Sequence, residues 1–329
     1  MAGGKVKSRK SFAAAVFLSL ILCGAFCLRA APPLTGKKVF IIDSYHEGYP
    51  WSDELVRSAE ETLKAEGVEC KVFRMDTKRN QSDEFARLAA EKAKAGIDAF
   101  KPDLIIAADD NASKYVLVPF YRNASIPCVF CGVNWDASVY GFPCSNITGM
   151  VEVAPVAELL NYLKKCGSGP GAGWITADNS TQRKEGGAYK NTLKLDLTAC
   201  YVRSFAEWKK EFIELQKKCG SIIVGNNSGI PDWNDAGAVK FMRENTKVPT
   251  GTVYDFMMPL SVIGFVKQAA EQGEWAGETA VKILRGASPP SIPVERNSRG
   301  DLMINRPLAK KLGLEIPPEI LGGAKKIIE

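Results

Sequence analysis

Between Asp43 and Trp51 the chain places Ser44, Tyr45, His46, Tyr49 and Trp51, its richest run of stacking and hydrogen-bonding groups. Flat rings of this kind stack on a flat ligand, and Ser44 with the amino end of a helix starting near Ser52 suits an anionic group. The same rings could instead pack the loop against its own lobe. Comparable mixtures recur at Asp109-Asp110, Asn134-Trp135, Asp178-Asn179-Ser180, Asn226-Asn227 and Tyr254-Asp255. Asp109 and Asp110 can pair with an ammonium or an amide, because a carboxylate taken out of water needs such a partner. Solvated turn aspartates are the competing reading. A few placed polar groups among apolar walls is the make-up of a small-molecule cleft.

Chemistry beyond binding finds little support. His46 is the only histidine, so any histidine-dependent catalysis rests on it alone, and no serine stands in a nucleophile elbow. One histidine with scattered carboxylates has no metal-ligand spacing. Cys128 and Cys131 have C-x-x-C spacing, but they sit in an apolar run after Pro127 with no second such pair. In a strand, side chains three apart face opposite sides, so these are expected as buried structural cysteines rather than a redox or metal pair. Gly167 to Gly173 looks like a phosphate loop but precedes the strand at Trp174, the wrong order for a nucleotide fingerprint, and reads as a flexible turn. No catalytic residue, metal or cofactor is expected, and the chain is not read as an enzyme.

The elements that must position these loops alternate along the chain. Lys38 to Ile42, Cys70 to Met75, Leu104 to Ala108 and Cys128 to Val133 read as strands. The last two are apolar at every position, as strands covered on both faces must be. Ser52 to Ala65 reads as a helix ended by Gly67, and Ser82 caps another with Asp83 and Glu84 behind it. A second series follows Asn146-Ile147-Thr148-Gly149: a helix opening at Pro155, a strand Trp174 to Thr176, a helix from Ser180 and a strand Tyr201-Val202. A helix Phe205 to Lys218 and strands Ser221 to Gly225 and Val248 to Val253 complete it. Pro259 to Gln272 and Glu274 to Arg285 read as helices returning to the first lobe, and Ser288 to Pro293 as another crossing.

Repeated strand–helix units imply parallel sheets wrapped by helices. The fold class is α/β, with two Rossmann-like doubly wound parallel-sheet lobes joined by a hinge. Ligands in such sheets bind beyond the carboxyl ends of the strands, where the six candidate ligand loops lie. The expected division is a first lobe at 36–148 plus about 257–287, a second at 149–256 plus about 288–321, and a charged tail at 322–329.

The first thirty residues read as a secretory signal: Lys5, Lys7, Arg9 and Lys10, then an apolar run from Phe12 to Leu22, then Ala30-Ala31. The run is too short for a comfortable membrane span. Cleavage near Ala30 is expected, with a lipid anchor at Cys23 or Cys27 or an uncleaved anchor as the alternatives, and a periplasmic or extracytoplasmic location in each case. The formal charge is +6, but five basic residues and no acid lie in the leader, leaving about +1. No broad field is left to attract nucleic acid or anionic lipid, and a monomer is expected. Seven cysteines remain beyond the leader, an odd count that leaves at least one thiol free or bonded between molecules.

Four stretches in order resemble the type I periplasmic binding proteins, in particular the ABC-transporter substrate-binding branch with its tryptophan-binding-like members. They are Asp43 to Trp51, the turn Met75 to Asn80, Ile126 to Asn134 with Asn146 to Gly149, and the tail from Ile304-Asn305 through Leu312 to Leu321. The resemblance spans nearly the whole chain beyond the leader. It implies capture of a small-molecule solute between two closing lobes and delivery to an ABC permease; a related use is an extracytoplasmic sensing module reporting to a receptor or kinase. Aromatic amino acids are among the ligands of the branch. Loop position then gives Tyr45, Trp135, Trp233 or Tyr254 for stacking, Asp109 or Asp255 for an amine, and Ser44 or Ser180 for a carboxylate.

Overall fold

The described residues of a computed structural model are 1, 3, 32–167 and 169–329. The leader, with Cys23 and Cys27, lies outside them. Strands β1 (Lys38–Asp43), β2 (Glu69–Arg74), β3 (Leu104–Ala108), β4 (Cys128–Asn134) and β5 (Ile147–Glu152) build one sheet. Strands β6 (Ala172–Ala177), β7 (Leu197–Val202), β8 (Ser221–Val224), β9 (Thr250–Thr252) and β10 (Ile263–Lys267) build a second. The chain then returns: β11 (Glu295–Arg296) joins the first sheet, and β12 (Gly300–Asn305) and β13 (Lys326–Ile328) extend the second.

The first sheet runs β11-β5-β4-β3-β1-β2 and the second β13-β12-β10-β9-β8-β6-β7. Neighbours are parallel except β10 against β12. This is the two-lobed, mostly parallel α/β architecture that the strand–helix alternation implies. Side-chain alternation explains the double cover. Phe40 and Ile42 face Ala89, Ala93 and Ile97 of the helix Asp83–Phe100, while Val39 and Ile41 face Leu55, Ala59 and Ala276. Each fully buried Phe, Ile, Leu or Val side chain of these cores contributes ~1.5–3 kcal/mol. In the second lobe Ile175, Ile222 and Val224 share a core with Trp208 and Phe212, and Trp174 and Ile223 share another with Leu159 and Leu163.

Sheet membership differs from the expected division at three places. β5 continues the first sheet to Glu152, so the first crossing falls after it. Ile263–Lys267, read as helix, is strand β10 of the second sheet: Val262 and Ile263 are fully buried, and β-branched residues covered on both faces favour a strand over a helix. β11 pairs with β5, so residues 295–296 belong to the first sheet. The helix Ala269–Leu284 follows the second crossing and packs on Pro50–Ala65, where a Cβ at Gly273 would run into the Leu55 carbonyl.

Side chains tie these crossings together. Asn297 accepts from the Val153 N–H at 2.7 Å and donates to its carbonyl at 3.1 Å. Glu271 accepts from the N–H groups of Ser298 and Arg299 at 2.9 and 2.8 Å. All seven cysteines of the described residues are free thiols, and Cys128 and Cys131 are buried in β4.

Candidate functional site

Asp109 follows β3 and Trp135 follows β4, and both have left-handed backbone, φ 76° and 64°. That conformation is uncommon for any residue with a side chain and an outlier for one as bulky as tryptophan. Strain of this kind persists only where the surroundings fix it, and it concentrates at ligand sites.

Asp109 is 4 % exposed. Its Oδ1 accepts from the Tyr45 hydroxyl at 2.9 Å and from the Asp110 N–H at 3.1 Å. Among the described residues nothing donates to its Oδ2. Burial, then the charges of Glu152 and Asp110, push its pKa up to about 8. Burial beside Asp109 also holds Tyr45 far above the usual phenol range, so its hydroxyl stays a donor.

Glu152 ends β5 and bonds Lys267, which ends β10; the pair joins the two sheets where the chain crosses between them. Burial pulls the Lys267 pKa down, but Glu152, Glu185 and Asp109 outweigh it and hold it above the ordinary lysine value. The Lys267 ammonium also lies 4.9 Å from the centre of the Trp51 ring.

The second lobe supplies another buried acid. Glu185, on the helix Ser180–Asn191, accepts from the Tyr189 hydroxyl at 2.7 Å and the Tyr254 hydroxyl at 2.9 Å. Gln182 and Asn226 lie beside the same Tyr254 hydroxyl. Trp135 of the first lobe meets Tyr189 edge-on with ring centres 5.6 Å apart, so aromatic contact crosses between the lobes. Tyr45 and Tyr49 are likewise edge-on at 5.1 Å.

Other candidates are held differently. Asp110 accepts from Asn134 Nδ2 at 2.7 Å and from the Tyr140 hydroxyl at 2.8 Å, forming a polar rim beside Asp109. Ser44 is fully buried and its hydroxyl bridges the Ala108 carbonyl and the Ala112 N–H, so it has no face for a ligand anion. At the start of the helix Pro50–Ala65, Asp53 already takes the Gly48 N–H at 2.8 Å and pairs with Arg74. His46 sits with Nδ1 3.7 Å from Asp76, a loop contact. Asp178 is bound by Arg183 and Arg203 at 2.6 and 2.8 Å, and those hydrogen bonds lower its pKa.

Asn179 caps its helix through the Gln182 N–H, Asn226 accepts from the Ser228 N–H, and Asp255 accepts from the Phe256 N–H. Ser180 and Asp255 are exposed and Asn227 is half-buried. Trp233 packs edge-on against Phe205 and Trp208 of its own lobe, away from a stacking role.

Sequence reasoning missed Glu152, Lys267, Glu185 and Tyr189. Glu152 obeys the strand-end rule, but its strand is not among those read from the sequence, and Lys267 is hidden by the helical reading of its strand. Glu185 had a fainter signal: Gln182, Glu185 and Tyr189 recur at helical spacing and are the buried residues of their helix.

The sequence model for ABC transporter substrate-binding proteins matches residues 48–328. The chain belongs to that family. No curated protein sequence matches it significantly. Solved structures share the fold of this substrate-binding protein at low identity. A ligand-free, open substrate-binding protein with adhesive properties from Clostridium difficile is 18 % identical, with TM-score 0.66 over 89 % of this chain and 99 % of its own. An ABC domain in complex with L-Trp from Streptococcus pneumonia is 19 % identical, with TM-score 0.55 over 89 % of this chain and 99 % of its own. An ABC transporter solute-binding protein from Agrobacterium vitis with bound allitol is 15 % identical, with TM-score 0.50 over 84 % and 98 %.

As a substrate-binding protein the chain works outside the cytoplasm, capturing a small solute for an ABC permease rather than catalysing a reaction. A surface groove of about 730 Å³, lined by Arg306, Pro307, Leu314 and Ile316 among others, lies away from the strand ends that carry the acids.

Proposed function

We propose that this substrate-binding protein holds an amine-bearing solute, an amino acid or a close relative with an aromatic or apolar body, in the cleft between its lobes. The observation that carries this is a buried carboxylate on each lobe, Asp109 and Glu185, each held by tyrosine hydroxyls rather than by a cation. A carboxylate kept from water is costly until a positive partner arrives, so a ligand ammonium gains most there. Tyr45, Tyr49, Trp51, Trp135 and Tyr254 give the apolar walls, and Asp110, Asn134 and Asn226 the polar edge. Asp178, Asn179, Ser180, Asn227 and Asp255 belong to the outer rim.

A relative of the same fold holds L-Trp and another holds allitol; the surplus of acids favours the amine over the neutral polyol. The solute completes contacts from both lobes and so shifts an open–closed equilibrium toward the form the permease receives. Export by the basic-apolar leader and a monomeric state fit this role.

A thermal-shift panel of amino acids, amines, polyols and organic acids tests it. Saturation at 100 times Kd adds about 2.7 kcal/mol, so amine-bearing compounds should raise the melting temperature clearly. Stabilisation by polyols or organic acids alone would contradict the amine reading.

A further inference from the structure

The charges of the cleft go beyond an amine to the net charge of the whole solute. Asp109, Glu152 and Glu185 are 4, 6 and 7 % exposed, and the Lys267 ammonium is taken by Glu152. Asp109 and Glu185 make no ion pair of their own among the described residues; they only share the field of Lys267, and at pH 8, where Asp109 begins to ionise, the three acids outnumber that one cation. Among the described residues no group of three or more His, Cys, Asp or Glu is placed to hold a metal ion, so an organic cation is the partner this chemistry fits.

The places that would receive a carboxylate of the solute are filled by the protein itself. The Ser44 hydroxyl is bonded on both sides. The Gly48 N–H is taken by Asp53. Arg74 pairs with Asp43 and Asp53, and Arg183 and Arg203 pair with Asp178. Lys78 is exposed and lies over Tyr45 and Tyr49, 5.0 and 5.1 Å from the ring centres. It is the cation that a zwitterion would have to recruit.

We propose that the solute is a net cation, an amine whose ammonium is not balanced by a carboxylate of its own, selected by Asp109 and Glu185 from opposite lobes. This rests on the amine reading above. In a zwitterion the solute's own carboxylate would stand near two protein carboxylates, and like charges out of water repel strongly.

Calorimetric titration of the full chain at pH 8 with matched pairs tests it: tryptophan against tryptamine, and tyrosine against tyramine, with putrescine as an aliphatic amine. The expected result is an amine bound at least ~10-fold tighter than its amino acid. That preference should fall at least ~10-fold in Glu185→Gln, whose unfolding midpoint is checked alongside, and persist in Lys78→Met. An amino acid bound as tightly as its amine, with the binding lost in Lys78→Met, overturns the net-cation proposal while leaving the amine reading intact. Failure of every amine and amino acid at millimolar concentration overturns both.

Discussion

Replacing Asp109 by Asn should stabilise the ligand-free protein at pH 8 and weaken amine binding there by ~30-fold or more, two effects of opposite sign from one atom change. An unfolded aspartate titrates near ~3.9, whereas burial beside Glu152 and Asp110 pushes Asp109 up to about 8 in the fold. Between those values the native chain holds a proton that the unfolded chain has released. Stability therefore falls as pH rises from about 4 to about 8.

Asn cannot ionise and removes that loss, and its Oδ1 can still accept from Tyr45 and from the Asp110 N–H. Asn also tolerates the left-handed backbone found at this position. The titratable neighbours Glu152, Asp110, Tyr45, Lys267 and Cys131 are unchanged in the variant. Binding moves the other way, because truncating one side of a buried charged pair costs ~2–5 kcal/mol. Amine affinity of the natural protein should rise from pH 5 to pH 8 as Asp109 ionises, and that rise should flatten in Asp109→Asn. Urea unfolding at pH 5 and 8, with titrations at the same pH values, checks both arms; a variant less stable at pH 8, or one with unchanged affinity, contradicts the account.

Lys267→Met should destabilise the chain by ~3–5 kcal/mol, and adding Glu152→Leu should recover most of that loss. The pair lies at the crossing between sheets with side chains 31 and 7 % exposed. Methionine keeps much of the volume but leaves Glu152 uncompensated beside Asp109. Breaking one side of such a pair is strongly destabilising, whereas replacing both sides by apolar groups is often neutral. The lost contact of the ammonium with Trp51 adds ~0.5–1 kcal/mol that the second substitution does not restore. Unfolding midpoints of both single variants and the double variant measure the coupling. Additive losses would mean that the two residues act independently.

Most of the fold is legible because its elements are locally consistent. β3 coincides with the all-apolar run Leu104–Ala108, and Ser82 caps its helix by accepting from the Phe85 N–H, as its place before Asp83 and Glu84 implies. β10 was not legible: Val262 to Val266 is short and continuously apolar, and periodicity alone does not separate a buried strand from a buried helix.

The candidate site divides the same way. Asp109, Tyr45 and Trp135 follow from strand ends, but Ser44 turns inward to bridge Ala108 and Ala112, a long-range pairing that no local pattern reveals. Glu185 lies within a helix that looks solvated until Tyr189 and Tyr254 are brought to it from elsewhere in the lobe.

A crystal structure of the protein with its tightest-binding solute tests the central claim most directly. The account predicts a ligand ammonium within hydrogen-bond reach of both Asp109 and Glu185, with its apolar body against Trp135. A solute seated outside the cleft, or one presenting an anionic group to those two carboxylates, would contradict it.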